Sequence, residues 1–445
     1  MTMGYTIIIA TLFSSKAFVE YTSSGLENTL AYLIIVLFYT NYLQDDSRYY
    51  LKKTMFYFLV FSFAFLNRQD SLLLFIFPVL ELFYRGYKKS GYKILYSAFI
   101  GFSPAYLWLL FSIIYFGSPF PNSYYAKLSL GSNLVALKQG INFVLSVLVT
   151  DPITILVIIS AICIMFFSRK YLFYSLCILL SFVYVIHTGG DFMGGRFLSS
   201  PFFLSVIVIM NFLSEKKIPK SNGNKATRRK SSRSLNFIKK RKYALIYVIV
   251  IYNIIVPLSP LKTPFHSDQK MKNNFKVTLF NLDNSLDNIY QNVDYYYSSN
   301  LLFYSKGGFP FSNLKFHSVI NCEHCRQLRN ENERASIGGG GLLGFCMGPS
   351  HYLIDPLVIT DPLLARLPVT DISMGFVPGH ITKKIPNGLL ESYINNLNML
   401  KDKNLKEYYN KIFVVTRGKL FTKERFKYIY ELNFTRSRKY KLDYY

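Results

Sequence analysis

The chain has 445 residues, 51% of them apolar and 17% aromatic, and carries a formal charge of +26 at pH 7. The apolar residues stand in long blocks before residue 258 and are diluted after it; this excludes one uniform soluble globule and predicts a membrane part followed by a soluble part. A charge of +26 on a soluble protein would point to nucleic acid, but before residue 258 the basic residues fall mainly in alternate loops, which argues for topology instead and for no nucleic-acid partner.

Apolar segments recur at Thr6–Phe18, Thr29–Leu43, Met55–Leu66, Leu72–Tyr84, Ile94–Phe116, Pro152–Phe167, Tyr171–His187, Pro201–Leu213 and Tyr243–Leu258. Several are shorter than the roughly 20 residues of a straight span, and Tyr, Ser and Asn at their ends extend them into the interface. Ile141–Val149 is too short to cross and is read as re-entrant or lying along the surface. The expected fold is an α-helical polytopic membrane protein of about nine segments over residues 1–258. A basic loop at 215–242 falls within it, and a soluble mixed α/β domain follows at 259–445.

Alternate loops are basic. One carries Arg48, Lys52 and Lys53, the next Arg85, Lys88, Lys89 and Lys93, a short third Arg169 and Lys170, and the fourth is the Lys/Arg-rich 215–242. The loops between them hold only Arg68, Lys127, Lys138 and Arg196. Basic loops face the cytoplasm and anionic headgroups, so the intervening stretches and everything after Ser259 are expected outside. Cys163 and Cys177 fall in apolar helices, leaving Cys322, Cys325 and Cys346. Cys322-Glu323-His324-Cys325 lacks the second pair that a zinc site needs; no protein-held metal is expected.

Four outer stretches carry the polar residues of interest. Glu27 either binds sugar hydroxyls or caps the helix that follows it, where the dipole favours an acid. Arg68, in Asn67-Arg68-Gln69-Asp70, either clamps a phosphate through paired N–H donors or forms a salt bridge at the membrane edge. Asn122, Tyr124 and Lys127 follow two prolines, Tyr124 offering a face for a sugar ring and Lys127 a compact cation. In Gly189-Gly190-Asp191-Phe192-Met193-Gly194-Gly195-Arg196, glycines surround a carboxylate and a guanidinium between two apolar helices. Charge beside hydrocarbon is costly and marks a functional site; the competing reading is a tight loop whose Asp191 and Arg196 only pair with each other. In the soluble part, Asp355, Asp361, Arg366 and His380 line a cleft or simply form turns. Its glycine run at 338–341 lacks the spacing of a nucleotide fingerprint.

Together these stretches resemble the membrane glycosyltransferases of the GT-C superfamily, in particular the mycobacterial terminal β-(1→2)-arabinofuranosyltransferase and its bacterial relatives. The resemblance rests on Thr22-Ser23-Ser24-Gly25-Leu26-Glu27, Pro121-Asn122-Ser123-Tyr124-Tyr125-Ala126-Lys127, the 189–196 loop, Ile354-Asp355-Pro356 with Thr360-Asp361-Pro362 through Pro368, and Pro386-Asn387-Gly388-Leu389-Leu390-Glu391-Ser392. It implies transfer of a sugar from a polyprenyl-phosphate donor to a cell-envelope glycan acceptor outside the bacterial cytoplasmic membrane. It also implies a bilayer-embedded protein with an extracytoplasmic C-terminal domain, no certain cofactor and the option of a divalent cation. Glu27, Arg68, Asn122, Tyr124, Lys127, Asp191 and Arg196 become the substrate-binding candidates. Two departures stand out: Gly194 occupies a position that is usually His in the family, and the family's early outer loop with its catalytic Asp-Asp pair is not found. The catalytic residues are therefore left unassigned. The alternative expectation is an N-terminally truncated or inactive relative that binds glycan or lipid at the membrane.

Overall fold

The computed structural model describes residues 2–22, 24–43, 50–128, 133–191, 195–214, 334–338, 344, 347–356, 358–369 and 383–435. The basic loop 215–242, the apolar run Tyr243–Leu258, Cys322, Cys325, Cys346 and His380 lie outside the described residues. Within them the helices are α1 (Thr2–Ser14), α2 (Lys16–Thr22), α3 (Asn28–Leu43), α4 (Tyr50–Asn67), α5 (Ile76–Ser90), α6 (Lys93–Gly101), α7 (Ser103–Phe116), α8 (Asn122–Leu128), α9 (Asn133–Thr150), α10 (Pro152–Phe167), α11 (Leu172–His187), α12 (Arg196–Ser214), α13 (Leu389–Asn395), α14 (Lys403–Arg417) and α15 (Lys423–Phe434). Two short strands, β1 (Ala335–Ile337) and β2 (Tyr352–Ile354), and the 3-10 turns Gln69–Leu74, Arg169–Tyr171 and Leu364–Arg366 accompany them.

By length and apolarity, Arg169–His187 and Arg196–Ser214 suffice to cross a membrane, with a third span if Lys93–Gly101 and Ser103–Phe116 count as one broken crossing. Other apolar runs fold as shorter or interrupted helices, for local reasons. The run Thr6–Phe18 breaks at Ser15, whose Oγ accepts the Phe18 N–H at 3.1 Å and starts α2. The run Ile94–Phe116 breaks around Phe102, next to Pro104, which has no N–H to continue the ladder. Ile141–Val149, read as re-entrant or lying along the surface, falls within the 18-residue α9, toward its C-terminal end. Pro152–Phe167 is helical over its whole length, started by Asp151, whose side chain accepts the Thr154 N–H, and by proline at the first position.

The chain forms two compact units. The first takes the described residues of Met1–Phe102, Gly140–Ile186 and Gly190–Pro310. Its core is rich in rings, with Phe38, Tyr39, Tyr57, Phe75 and Tyr174 packed edge-on and tilted against one another. Helices approach closely where side chains are absent: a Cβ on Gly101 would lie 2.4 Å from the Met55 carbonyl on α4, and one on Gly140 1.9 Å from the Ile186 carbonyl on α11.

The second unit takes the described residues of Ser103–Gln139, His187–Gly189 and Phe311–Tyr445. Strands β1 and β2 pair in parallel, Ala335 with Tyr352 and Ile337 with Ile354. Ala335, Ile354, Leu363, Leu364, Leu389, Tyr393, Leu405 and Ile412 form its core, joined by Ala126 of α8. Asp355 and Asp361, read as cleft or turn residues, are turn residues here. Asp355 Oδ2 accepts the Ile359 and Thr360 N–H groups, and Asp361 Oδ1 accepts those of Leu363 and Leu364.

Arg425 of α15 is fully buried among carbonyls. Its guanidinium donates to Ile114 and Tyr115 in the last turn of α7, to Val415 in the last turn of α14, and to Leu420. Helix C-termini leave carbonyls without intrahelical partners and carry partial negative charge. One cation therefore answers two helix ends.

Lys383 of the second unit is buried as well, its ammonium donating to the carbonyls of Leu364, Ala365 and Leu367. Burial pushes it down to about 7 from an ordinary 10.5. Between those values the unfolded chain holds a proton that the folded one has released, so stability rises as pH climbs from 7 toward 10.5, by up to about 1.4 kcal/mol per pH unit. Below this window both states are charged and the folded one bears the full cost of the buried ammonium. Lys383→Met is expected to flatten the rise in thermal unfolding of the detergent-solubilised protein; an unchanged slope would exclude Lys383 as its source.

Candidate functional site

Three separated stretches of the first unit bring their charges together. Arg68 follows the last residue of α4, with extended backbone at the entry to the 3-10 turn Gln69–Leu74. Its Nε donates to Asp70 Oδ1 at 2.7 Å and its Nη2 to Asp70 Oδ2 at 2.6 Å, a two-pronged pair. The remaining nitrogen, Nη1, donates to Glu27 Oε1 at 2.9 Å. Burial alone would lower the Arg68 guanidinium, but Asp70, then Glu27 and Asp191, hold it above the ordinary arginine range. Asp191, across the glycine loop, is thus within the field of the same cation.

Arg196 opens α12 and lies 2.8 Å through Nε from Asp191 Oδ2. The N–H is not aligned with that oxygen, so the contact is Coulombic, and among the described residues buried Asp191 Oδ2 has no hydrogen-bond partner. Such an atom costs about 1–3 kcal/mol unless something supplies the missing donor. The next residue, Phe197, joins the two cations. Arg68 Cζ sits 4.0 Å and Arg196 Cζ 4.9 Å from the centre of its ring. Around them Asn67 Nδ2 donates to the Glu27 carbonyl, and Asn28 Nδ2 to the Arg196 carbonyl and Ser199 Oγ.

The loop's backbone requires its glycines. Gly190 has φ +76°, and a Cβ there would stand 2.4 Å from the Phe143 ring. Gly195 has φ +36° and packs on Ala17, whose N–H is held by buried Asp151 Oδ2 at 2.9 Å. The link Asp151–Ala17–Gly195 fixes the foot of the loop immediately before Arg196. Phe192, Met193 and Gly194 lie outside the described residues.

Of the sequence candidates, Glu27, Arg68, Asp191 and Arg196 meet here. Glu27 gives its carboxylate to Arg68, while its carbonyl accepts the Ala31 N–H at the start of α3. Arg68, read as a phosphate clamp or a salt bridge, is a salt bridge: three of its donors face carboxylates. Asn122 and Tyr124 belong to the second unit. Asn122 takes the Arg366 Nη1 donor at 3.2 Å and donates to the Thr360 carbonyl, while the exposed Tyr124 ring lies 4.5 Å from Phe120. Lys127 lies on α8, its side chain outside the described set. Asn28, Asn67 and Phe197 were not singled out from sequence; their polar or aromatic character is ordinary, and only the fold shows what they touch.

Among the described residues no three His, Cys, Asp or Glu side chains converge to hold a metal. Glu27 and Asp70 flank Arg68 instead of sharing a point, so the divalent cation that the resemblance allows has no fitting donor set there.

The Alg9-like mannosyltransferase family matches the chain over residues 2–121, a stretch that holds Glu27, Arg68 and Asp70. No curated protein and no solved structure matches it. The match, taken with apolar helices long enough to cross a bilayer, supports a membrane glycosyltransferase of the GT-C type.

Proposed function

We propose that the cluster around Phe197 is the donor site of a glycosyltransferase. In this reading it takes a sugar, a pentofuranose on the sequence resemblance, from a polyprenyl phosphate and passes it to a cell-envelope glycan outside the cytoplasmic membrane. The observation that carries the proposal is the meeting of Arg68 and Arg196 on one ring beside a buried carboxylate oxygen with no hydrogen-bond donor among the described residues.

The acceptor hydroxyl oxygen attacks the anomeric carbon, the bond from that carbon to the donor phosphate oxygen breaks, and its electron pair leaves with the phosphate. Cations placed where that negative charge develops lower the barrier. Arg196 has this role, and Asp191 orients it and offers Oδ2 to a sugar hydroxyl. Arg68, engaged by Glu27 and Asp70, shapes the cluster. The acceptor proton passes to a base, a role given to none of these side chains. Taken by itself, the second unit offers the exposed Tyr124 ring beside Phe120 as a face on which a sugar could stack.

Membranes carrying Asp191→Ala or Arg196→Ala are expected to transfer radiolabelled sugar from a polyprenyl-phosphate donor about a hundredfold more slowly than wild type, at equal protein content. Wild-type rates from both variants would remove the loop from the donor site.

A further inference from the structure

Helix α15 buries Arg425, Ile429 and Asn433, four residues apart, and presents a second stripe to the outside. That stripe is Phe426, Tyr430 and Phe434, exposed by 42%, 61% and 65%, with Phe421 at 76% just before it. Tyr430 and Phe434 stack at 5.8 Å. Leaving each such ring in water forgoes roughly 1.5–3 kcal/mol, and a contiguous aromatic stripe of this kind marks an interaction surface.

The helix is fastened to the end of α7 at both of its own ends. Arg425, in its first turn, donates to the Ile114 and Tyr115 carbonyls, and Asn433, in its last, donates to the Gly117 carbonyl at 2.7 Å. Helix α7 exposes Tyr106, Leu107, Trp108, Leu110, Phe111, Tyr115 and Phe116 and forms half of the broken candidate span. So α15 lies where an apolar helix ends, with its aromatic stripe uncovered. The charges agree with that position. Lys423 and Lys427, a helical turn apart, flank the stripe, Lys427 with 70% of its side chain exposed, and the sequence continues with Arg436, Arg438, Lys439 and Lys441. Aromatic rings beside basic residues are the composition favoured at the boundary between acyl chains and headgroups.

We propose that α15 is an interfacial helix. Phe421, Phe426, Tyr430 and Phe434 enter the headgroup boundary of the leaflet in which α7 ends, and the flanking lysines meet lipid phosphates. The proposal does not depend on the donor-site reading.

The test uses the full chain carrying Trp108→Phe, which removes its single tryptophan, and Tyr430→Trp. The protein is reconstituted into vesicles of phosphatidylcholine and phosphatidylglycerol. Emission from position 430 is expected to be quenched about twofold by lipids brominated high on the acyl chain and to resist iodide added to the water. Serine at Phe421, Phe426 and Phe434 together is expected to reverse both results while α15 stays helical by circular dichroism. Quenching by iodide with no effect of brominated lipid would overturn the proposal. Protection from both quenchers would overturn it equally, since a protein surface would then cover the stripe.

Discussion

Arg68→Met is expected to be the most damaging single change in the first unit. It leaves Glu27 and Asp70, each more than three-quarters buried at the side chain, without their shared cation. Removing one partner from a buried charged set costs about 3–5 kcal/mol, whereas replacing the whole set by neutral groups of similar size is close to neutral. The single variant should therefore be recovered from membranes in low yield, with a clearly lowered melting temperature in detergent. The triple variant Glu27→Gln, Arg68→Met, Asp70→Asn should regain most of that loss. A single variant as stable as wild type would show that the pairs are solvated and contribute little. Stability is the right readout, because Arg68 already has three donors facing carboxylates.

The second large effect is expected at Arg425. Leucine in its place removes four donor contacts at once, two of them to the end of α7 and one to the end of α14. Hydrogen bonds from a charged group are worth about 1.5–3 kcal/mol each and do not add fully, so a net loss of about 3–5 kcal/mol is expected. Burying a guanidinium without a carboxylate is itself unfavourable, but that cost falls on the wild type as well. What the variant adds is buried carbonyls without donors. Arg425→Lys should rescue only in part, since an ammonium has three donors and no planar fork. Limited proteolysis of the solubilised protein should release the segment beyond Gly418 readily from Arg425→Leu and slowly from wild type. Equal rates would mean that the α7 and α15 ends are held by other contacts.

Both predictions rest on partners that are far apart in sequence, which marks where sequence reading succeeds and where it stops. The helix Pro152–Phe167 was legible from end to end because its signals are local: an Asp cap, a proline at the first position, then a continuous apolar run. The Asp191–Arg196 pair was legible for the same reason, five residues of glycine-rich chain allowing little else. Arg68 was visible as unusual, but its partner Glu27 stands 41 residues away, and a choice between clamp and salt bridge needs that distance. Arg425 gave no signal: in a tail rich in lysine and arginine a buried cation looks like a solvated one. Breaks at Ser15 and Phe102 were missed because hydropathy averages over a single serine cap or proline that interrupts the helix. That Asn122 and Tyr124 belong to the second unit was likewise out of reach, since charge alternation assigns sides of a membrane and not folding units.

The claim that Arg68, Arg196 and Asp191 surround the donor is tested most directly by labelling. A polyprenyl-phosphate sugar carrying a photoreactive group on the sugar is irradiated with wild-type membranes, and the modified peptides are mapped by mass spectrometry. The account predicts label within 189–199 and 67–70, reduced severalfold by Asp191→Ala and displaced by unlabelled donor. Displaceable label confined to other segments, with 189–199 untouched, would contradict it.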